Sequence, residues 1–168
     1  MMKYRILIIL LCWFLLPVVS AQNPLPLINQ RIMNYLENVM GSQVGRGECW
    51  DLADEALVTA GARFDKTSEK TLYIFGREYN PRDENILPGD IIQFKKVVVK
   101  YQQGNRIMTE TLAHHTAIVY EVLNSRKIKL AHQNTSRTGR KVGISGIDLD
   151  TVQKGRLYFY RPIPAAPN

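Results

Sequence analysis

Covalent amide chemistry requires a nucleophile, a base and a group to hold the base, and this sequence offers few candidates for each. The nucleophile candidate is Cys49, in the stretch VGRGECWDLADEAL from Val44 to Leu57. All three histidines, His114, His115 and His132, fall in one later segment. A thiol reacts as its thiolate, so an imidazole that takes its proton makes it a strong nucleophile. A further polar group fixes the tautomer and ring orientation of that imidazole, and either His132 or Asn134 is suited to the task. Candidate donors to a developing oxyanion are Gln43, six residues before Cys49, and the Cys49 backbone N–H. The rival reading of Cys49 is a buried, inert small residue. Cys49, His115 and His132 are legitimate zinc ligands, but their spacing matches neither CxxC nor HxxxH pairs. No metal and no other cofactor is therefore expected.

These residues need elements to position them. Cys49, Leu52, Ala53, Ala56, Leu57 and Ala60 recur at helical spacing, predicting a helix from about Glu48 to Ala60 that Gly61 ends. Cys49 heads its apolar stripe, where free amides and the helix dipole favour a thiolate. Glu48 reads as the cap, and Gly45 and Gly47 supply a sharp approach that would let substrate backbone pass close by. An earlier helix is predicted over Ile28 to Met40, stopped by Gly41. Residues 62–86 read as irregular, with a short element at TLYIF. From the Pro88-Gly89-Asp90 turn onward the pattern becomes strand: Ile91–Lys100, Arg106–Ala113, His115–Leu123, Lys127–Gln133 and Arg156–Arg161. TSRTGRKVGISG, 135–146, reads as a loop. Helices first and an antiparallel sheet after define an α+β class.

A two-residue turn at Asn124-Ser125 would pair Leu123 with Arg126. Carried outward, that register sets Ala117 opposite His132 and His115 opposite Asn134. All four then share one sheet face, His115 and His132 are diagonal neighbours, and His114 points away. A helix packed on that face would bring Cys49 to His115.

The N-terminus reads as an export signal over 1–21: Lys3 and Arg5, the apolar run ILIILLCWFLLPVV, then Val19-Ser20-Ala21. Removing it leaves Cys49 as the sole cysteine, so no disulfide partner is expected. Residues 22–27 read as a linker, 28–162 as one domain and 163–168 as a tail. The expected location is secreted or periplasmic, and no later segment is apolar for the ~18 residues a membrane span needs. The net charge of +7 falls to +5 without Lys3 and Arg5. It is dispersed, and its densest cluster, Ser136–Lys141, lacks the interleaved aromatics of a nucleic-acid platform. The charge suits an anionic cell-envelope polymer better.

Taken together, GRGECWDLADEAL, LPGDIIQF, HTAIVYEV and AHQN resemble the papain-like cysteine amidohydrolases and peptidases of bacterial envelopes, the NlpC-type and CHAP group. The resemblance covers most of residues 41–134. It implies N-terminal helices packed on an antiparallel sheet, with Cys49 opening a helix, His115 starting a strand and His132 on the next. It also implies an amide bond of peptidoglycan peptides as substrate, cut through a Cys49 thioester with His115 as base. CHAP-like sequences often read Glu-x-Asn where this one has His132-Gln133-Asn134, whereas NlpC-type sites frequently use a histidine there. Gln43 and the pair Cys49-Trp50 also echo papain. Two other functions fit the same resemblance: a non-catalytic envelope-binding module, and an acyltransferase using the same thioester.

Overall fold

The computed structural model describes residues 24–64 and 73–165. The expected signal segment, residues 22–23 of the linker and 166–168 of the tail lie outside the described residues. Two helices, α1 (Leu27–Val39) and α2 (Cys49–Ala60), precede six strands. These are β1 (Arg77–Tyr79), β2 (Ile91–Gln103), β3 (Arg106–Val122), β4 (Lys127–His132), β5 (Gly143–Asp148) and β6 (Val152–Arg161). They form one sheet in the order β1-β6-β2-β3-β4-β5, antiparallel throughout. No helix among the described residues is long and apolar enough to cross a membrane.

Each helix buries one stripe. Ile28, Ile32 and Leu36 on α1 and Leu52, Ala53, Ala56, Leu57 and Ala60 on α2 pack with Ile91, Ile118, Ala131 and Tyr160 on one sheet face. Burying each of the larger side chains stabilises the fold by about 1.5–3 kcal/mol. The opposite face carries a second core of Ile92, Phe94, Ala117, Val119, Ile128, Leu130 and Phe159. Pleating explains the division, because neighbours along a strand point to opposite sides. Gly61 ends α2 in the left-handed region at φ 72°, and its amide donates to the Leu57 and Val58 carbonyls.

The Pro88-Gly89-Asp90 turn is a structural anchor. The buried Asp90 carboxylate accepts from Tyr79 Oη (2.6 Å), Arg161 Nε (2.6 Å), the Leu87 amide (2.9 Å) and Asn29 Nδ2 (3.0 Å). One buried charge thus ties β1, β6 and α1 to the start of β2, with its lone pairs occupied by donors as burial demands.

Five sequence expectations are corrected here. Arg106–Ala113 and His115–Leu123 are one continuous strand, β3. The expected loop 135–146 ends in β5, and residues 62–86 contain β1. Leu27, assigned to the linker, begins α1. The β3–β4 turn is longer than two residues: the Leu123 and Asn124 amides both donate to the Lys127 carbonyl. Asn124 Oδ1 causes this by accepting from the Arg126 and Lys127 amides, an Asx-type turn. A bulge between Val119 and Glu121 then returns the register, so Ile118 pairs with Ala131 as a two-residue turn would have placed it.

Candidate active site

Cys49 is the first residue of α2, half-buried, with its thiol facing the Thr116 amide of β3 and the amides of Trp50 and Cys49 itself. The β3 amide is free for this role because of where the pairing stops. Val119 donates to Asp90 on the β2 side, so alternation turns the Thr116 amide toward β4. The β3–β4 pairing has already ended at Ile118–Ala131. The start of α2 occupies the slot that opens there.

Gln133 holds it in place. This residue is fully buried, donates through Nε2 to the carbonyls of Val44 (2.9 Å) and Glu48 (2.8 Å), and accepts from the Val44 amide at Oε1 (3.1 Å). Sequence reasoning passed over it. The available signal was parity: a polar residue between His132 and Asn134 must point toward the helices if His132 points away. On the loop side, Asp51 Oδ2 accepts from the amides of Arg46 (2.8 Å) and Glu48 (3.2 Å), closing the approach to the helix. A Cβ on Gly45 would lie 3.0 Å from Asp51, and one on Gly47 would lie 2.8 Å from Arg140. Both glycines therefore leave room for neighbouring side chains of this chain.

His115 and His132 meet as the register requires, with His115 Nε2 2.9 Å from His132 Nδ1. Both rings are buried, the His115 ring sits 5.8 Å from that of Phe94, and His132 Nε2 lies 2.9 Å from Ser145 Oγ on β5. His114, one residue earlier, is exposed. The pair does not lie on the helix-packed face, contrary to expectation. His115 alternates with Ile118, which faces the helices, so it belongs with Ala117 and Val119 on the far side. Cys49 and His115 stand on opposite sides of the sheet, and the thiol meets this strand at the Thr116 amide, one residue along from His115.

Two candidates lie apart from the pair. Asn134 leaves the strand in the left-handed region at φ 60°, is exposed, and donates through Nδ2 to Glu48 Oε2 (2.8 Å). The kink breaks the alternation that would have placed it opposite His115. Gln43 is exposed and donates weakly to the Gly45 carbonyl of its own loop (3.3 Å). Among the described residues no cluster of three or more His, Cys, Asp or Glu side chains could hold a metal ion.

Burial governs the electrostatics. It pushes the Cys49 thiol above its ordinary value, and Glu48 adds to the effect, while the three backbone amides act in the opposite sense without prevailing. Burial, reinforced by the neighbouring His132, pushes His115 down to about 3. Burial and the Arg137 guanidinium push His132 down to about 4. At neutral pH the candidate site therefore holds a neutral thiol and two neutral imidazoles. The expectation that the helix start alone would favour the thiolate is overturned by desolvation.

A cysteine opening a helix, beside an antiparallel sheet that carries a histidine pair, defines a papain-like cysteine proteinase fold. The chain belongs to the AIM3/BBC1 cysteine proteinase-fold domain family, whose model matches residues 27–167. It is 29% identical over 150 residues to altered inheritance of mitochondria protein 3 of the yeast Debaryomyces hansenii. That match covers 80% of this chain and 16% of the yeast protein, so the chain spans about a sixth of its relative's length. Two crystal structures of Ly7917 are also similar, one of them with the hydrolyzing product of MDP. They share 18% and 19% identity at a TM-score of 0.47, over 79% and 80% of this chain and 62% of theirs.

Proposed function

We propose that this chain is a cysteine amidohydrolase or peptidase with Cys49 as nucleophile, His115 as base and His132 as the group that orients it. The observation that carries the reading is the His115 Nε2–His132 Nδ1 contact of 2.9 Å, with the Cys49 thiol against the next residue of the same strand. The contact occupies the Nε2 side of His115 and leaves Nδ1 for the thiol. The Cys49 proton passes to Nδ1 as sulfur bonds to the amide carbon, because neither partner is charged at rest. His115 then returns that proton to the leaving amine, the C–N bond breaks and a thioester remains. Water, deprotonated by His115, releases the acid.

The finer reading is an NlpC/CHAP-type hydrolase, exported by its residues 1–21 and acting on the peptide amides of peptidoglycan. The motifs in the sequence support it, as does the net positive charge. A second reading, a binding module on the same fold, is favoured by the raised Cys49 and lowered His115 values, since no thiolate stands ready. The name of the yeast relative, which speaks of mitochondrial inheritance, supports it as well.

An electrophilic amide probe separates the two. The hydrolase reading expects stoichiometric labelling of Cys49, abolished in Cys49→Ala and slowed in His115→Ala, and amide release from muropeptides or from a peptide library. Labelling no faster than a free thiol, with neither product formed, overturns it. Transfer to an added amine in place of water identifies an acyltransferase.

A further inference from the structure

The ring-nitrogen contacts do not stop at the pair of imidazoles. We infer that Ser145 is a positioning residue: by accepting a hydrogen bond from His132 Nε2, it fixes the tautomers that leave His115 Nδ1 able to take a proton. The inference rests on the reading of Cys49 and His115 as the reacting pair.

The argument is a count of protons along two contacts of 2.9 Å each, His115 Nε2 to His132 Nδ1 and His132 Nε2 to Ser145 Oγ. A neutral imidazole has one N–H and one lone pair. For His115 Nδ1 to be the base, its proton must sit on Nε2 and be donated to His132 Nδ1. The His132 proton must then sit on Nε2, and the group it meets there must accept. Ser145 Oγ is that group. In the reverse arrangement Ser145 donates to His132 Nε2, which moves the His132 proton to Nδ1 and the His115 proton to Nδ1. Nδ1, the nitrogen the proposed function assigns to the thiol, would then already carry a proton, and His115 could take none.

The surroundings favour the productive direction. Ser145 is half-buried on the wall of a cavity of about 540 Å³ on the sheet face away from the helices, which His115, His132, Thr135, Arg137 and Gly146 also line. The hydroxyl borders that open volume, so its proton can turn toward it while a lone pair stays turned to His132. Arg137 bears on His132 from the same cavity and opposes a second proton there. The chain of contacts therefore stays neutral, each nitrogen with a complementary partner. When His115 takes the Cys49 proton, its Nε2–H still donates to His132 Nδ1, so the cation is met by a lone pair.

Histidine ring-nitrogen NMR on the full chain tests this directly, with Cys49 alkylation by iodoacetamide as a second reading. In the wild type both His115 and His132 are expected to carry their protons on Nε2. Ser145→Ala should populate the other tautomer of His132 and slow alkylation about 10-fold, and Ser145→Thr, which keeps the hydroxyl, should restore both. A wild-type His115 protonated on Nδ1 overturns the inference, as do unchanged tautomers in Ser145→Ala. The expected tautomers in all three proteins, with a Cys49 inert throughout, would uphold Ser145 and sink the hydrolase reading instead.

Discussion

The two faces of the sheet do different work. On the helix side, Ile91, Ile118 and Ala131 meet the stripes of α1 and α2 in a closely filled, largely aliphatic layer. On the far side, Phe94, Ile128 and Leu130 share their layer with His115 and His132 and border a cavity of about 540 Å³. One face is filled to fix geometry, and the other keeps polar rings and open volume at a cost in stability. The site forms where the two communicate, at the slot left when β4 parts from β3. The proposed nucleophile heads a helix whose stripe packs in one core, and the proposed base shares its face with the other, so the layer under α2 can be disturbed without touching the imidazoles.

Reactivity gives the largest expected contrast. His115→Ala should slow probe labelling of Cys49 about 10²–10⁴-fold, the usual worth of a positioned base. His114→Ala, one residue away on the exposed side, should leave it unchanged. Equal losses would mean that the division between faces does not govern the chemistry.

Stability gives the next. Leu52 is 1% exposed within the helix-side layer, and Leu130 is 2% exposed but lines the cavity. Leu52→Ala should cost about 4 kcal/mol and Leu130→Ala about 2 kcal/mol in urea unfolding, because loss beside existing volume removes fewer contacts. The reverse order would show the far face to be the better packed.

Acid should act on the far face. Both histidines stay neutral in the fold, with values of about 3 and about 4, whereas an unfolded histidine titrates near 6.5. Below that point the unfolded chain binds more protons, so stability is full above about pH 6.5 and falls as pH drops toward 4. Each histidine contributes a slope of at most about 1.4 kcal/mol per pH unit. His132→Gln should flatten the fall by one histidine's share. A fold indifferent to pH over this window would refute the neutral pair.

Much of this arrangement was legible in the sequence, and for uneven reasons. Helix α2 was readable to within a residue because its stripe is long and Gly61 marks its end. The His115–His132 pairing was also reached, although a longer turn and a bulge cancel where the reading assumed neither. Side-chain parity survives such paired errors, and the choice of sheet face does not. Alternation states which residues share a side, but it does not say which side the helices will take. Ser145 was hidden because GISGID, with two glycines and few β-branched residues, reads as loop until pairing with β4 makes it a strand. The neutral state of the site was hidden too, since desolvation depends on packing that no local pattern encodes.

The smallest expected effects come from neighbours in one short stretch. Gln133 and Asn134 are adjacent, both amides, and both bond to the α2 start. Gln133 is fully buried with three contacts to backbone, so Gln133→Ala leaves several groups unsatisfied and should cost about 1–3 kcal/mol. It should also change the rate of Cys49 alkylation, because the Glu48 carbonyl it holds belongs to the residue before the thiol. Asn134 is exposed, and its side-chain amide bonds the half-exposed Glu48 carboxylate. The informative change there is Asn134→Gly, which keeps the left-handed backbone at φ 60° and removes only the amide. It should shift stability by no more than about 0.5 kcal/mol and leave alkylation as it was. A large loss of alkylation in Asn134→Gly, with the fold intact, would return Asn134 to the site and place the helix start and the far face under one control.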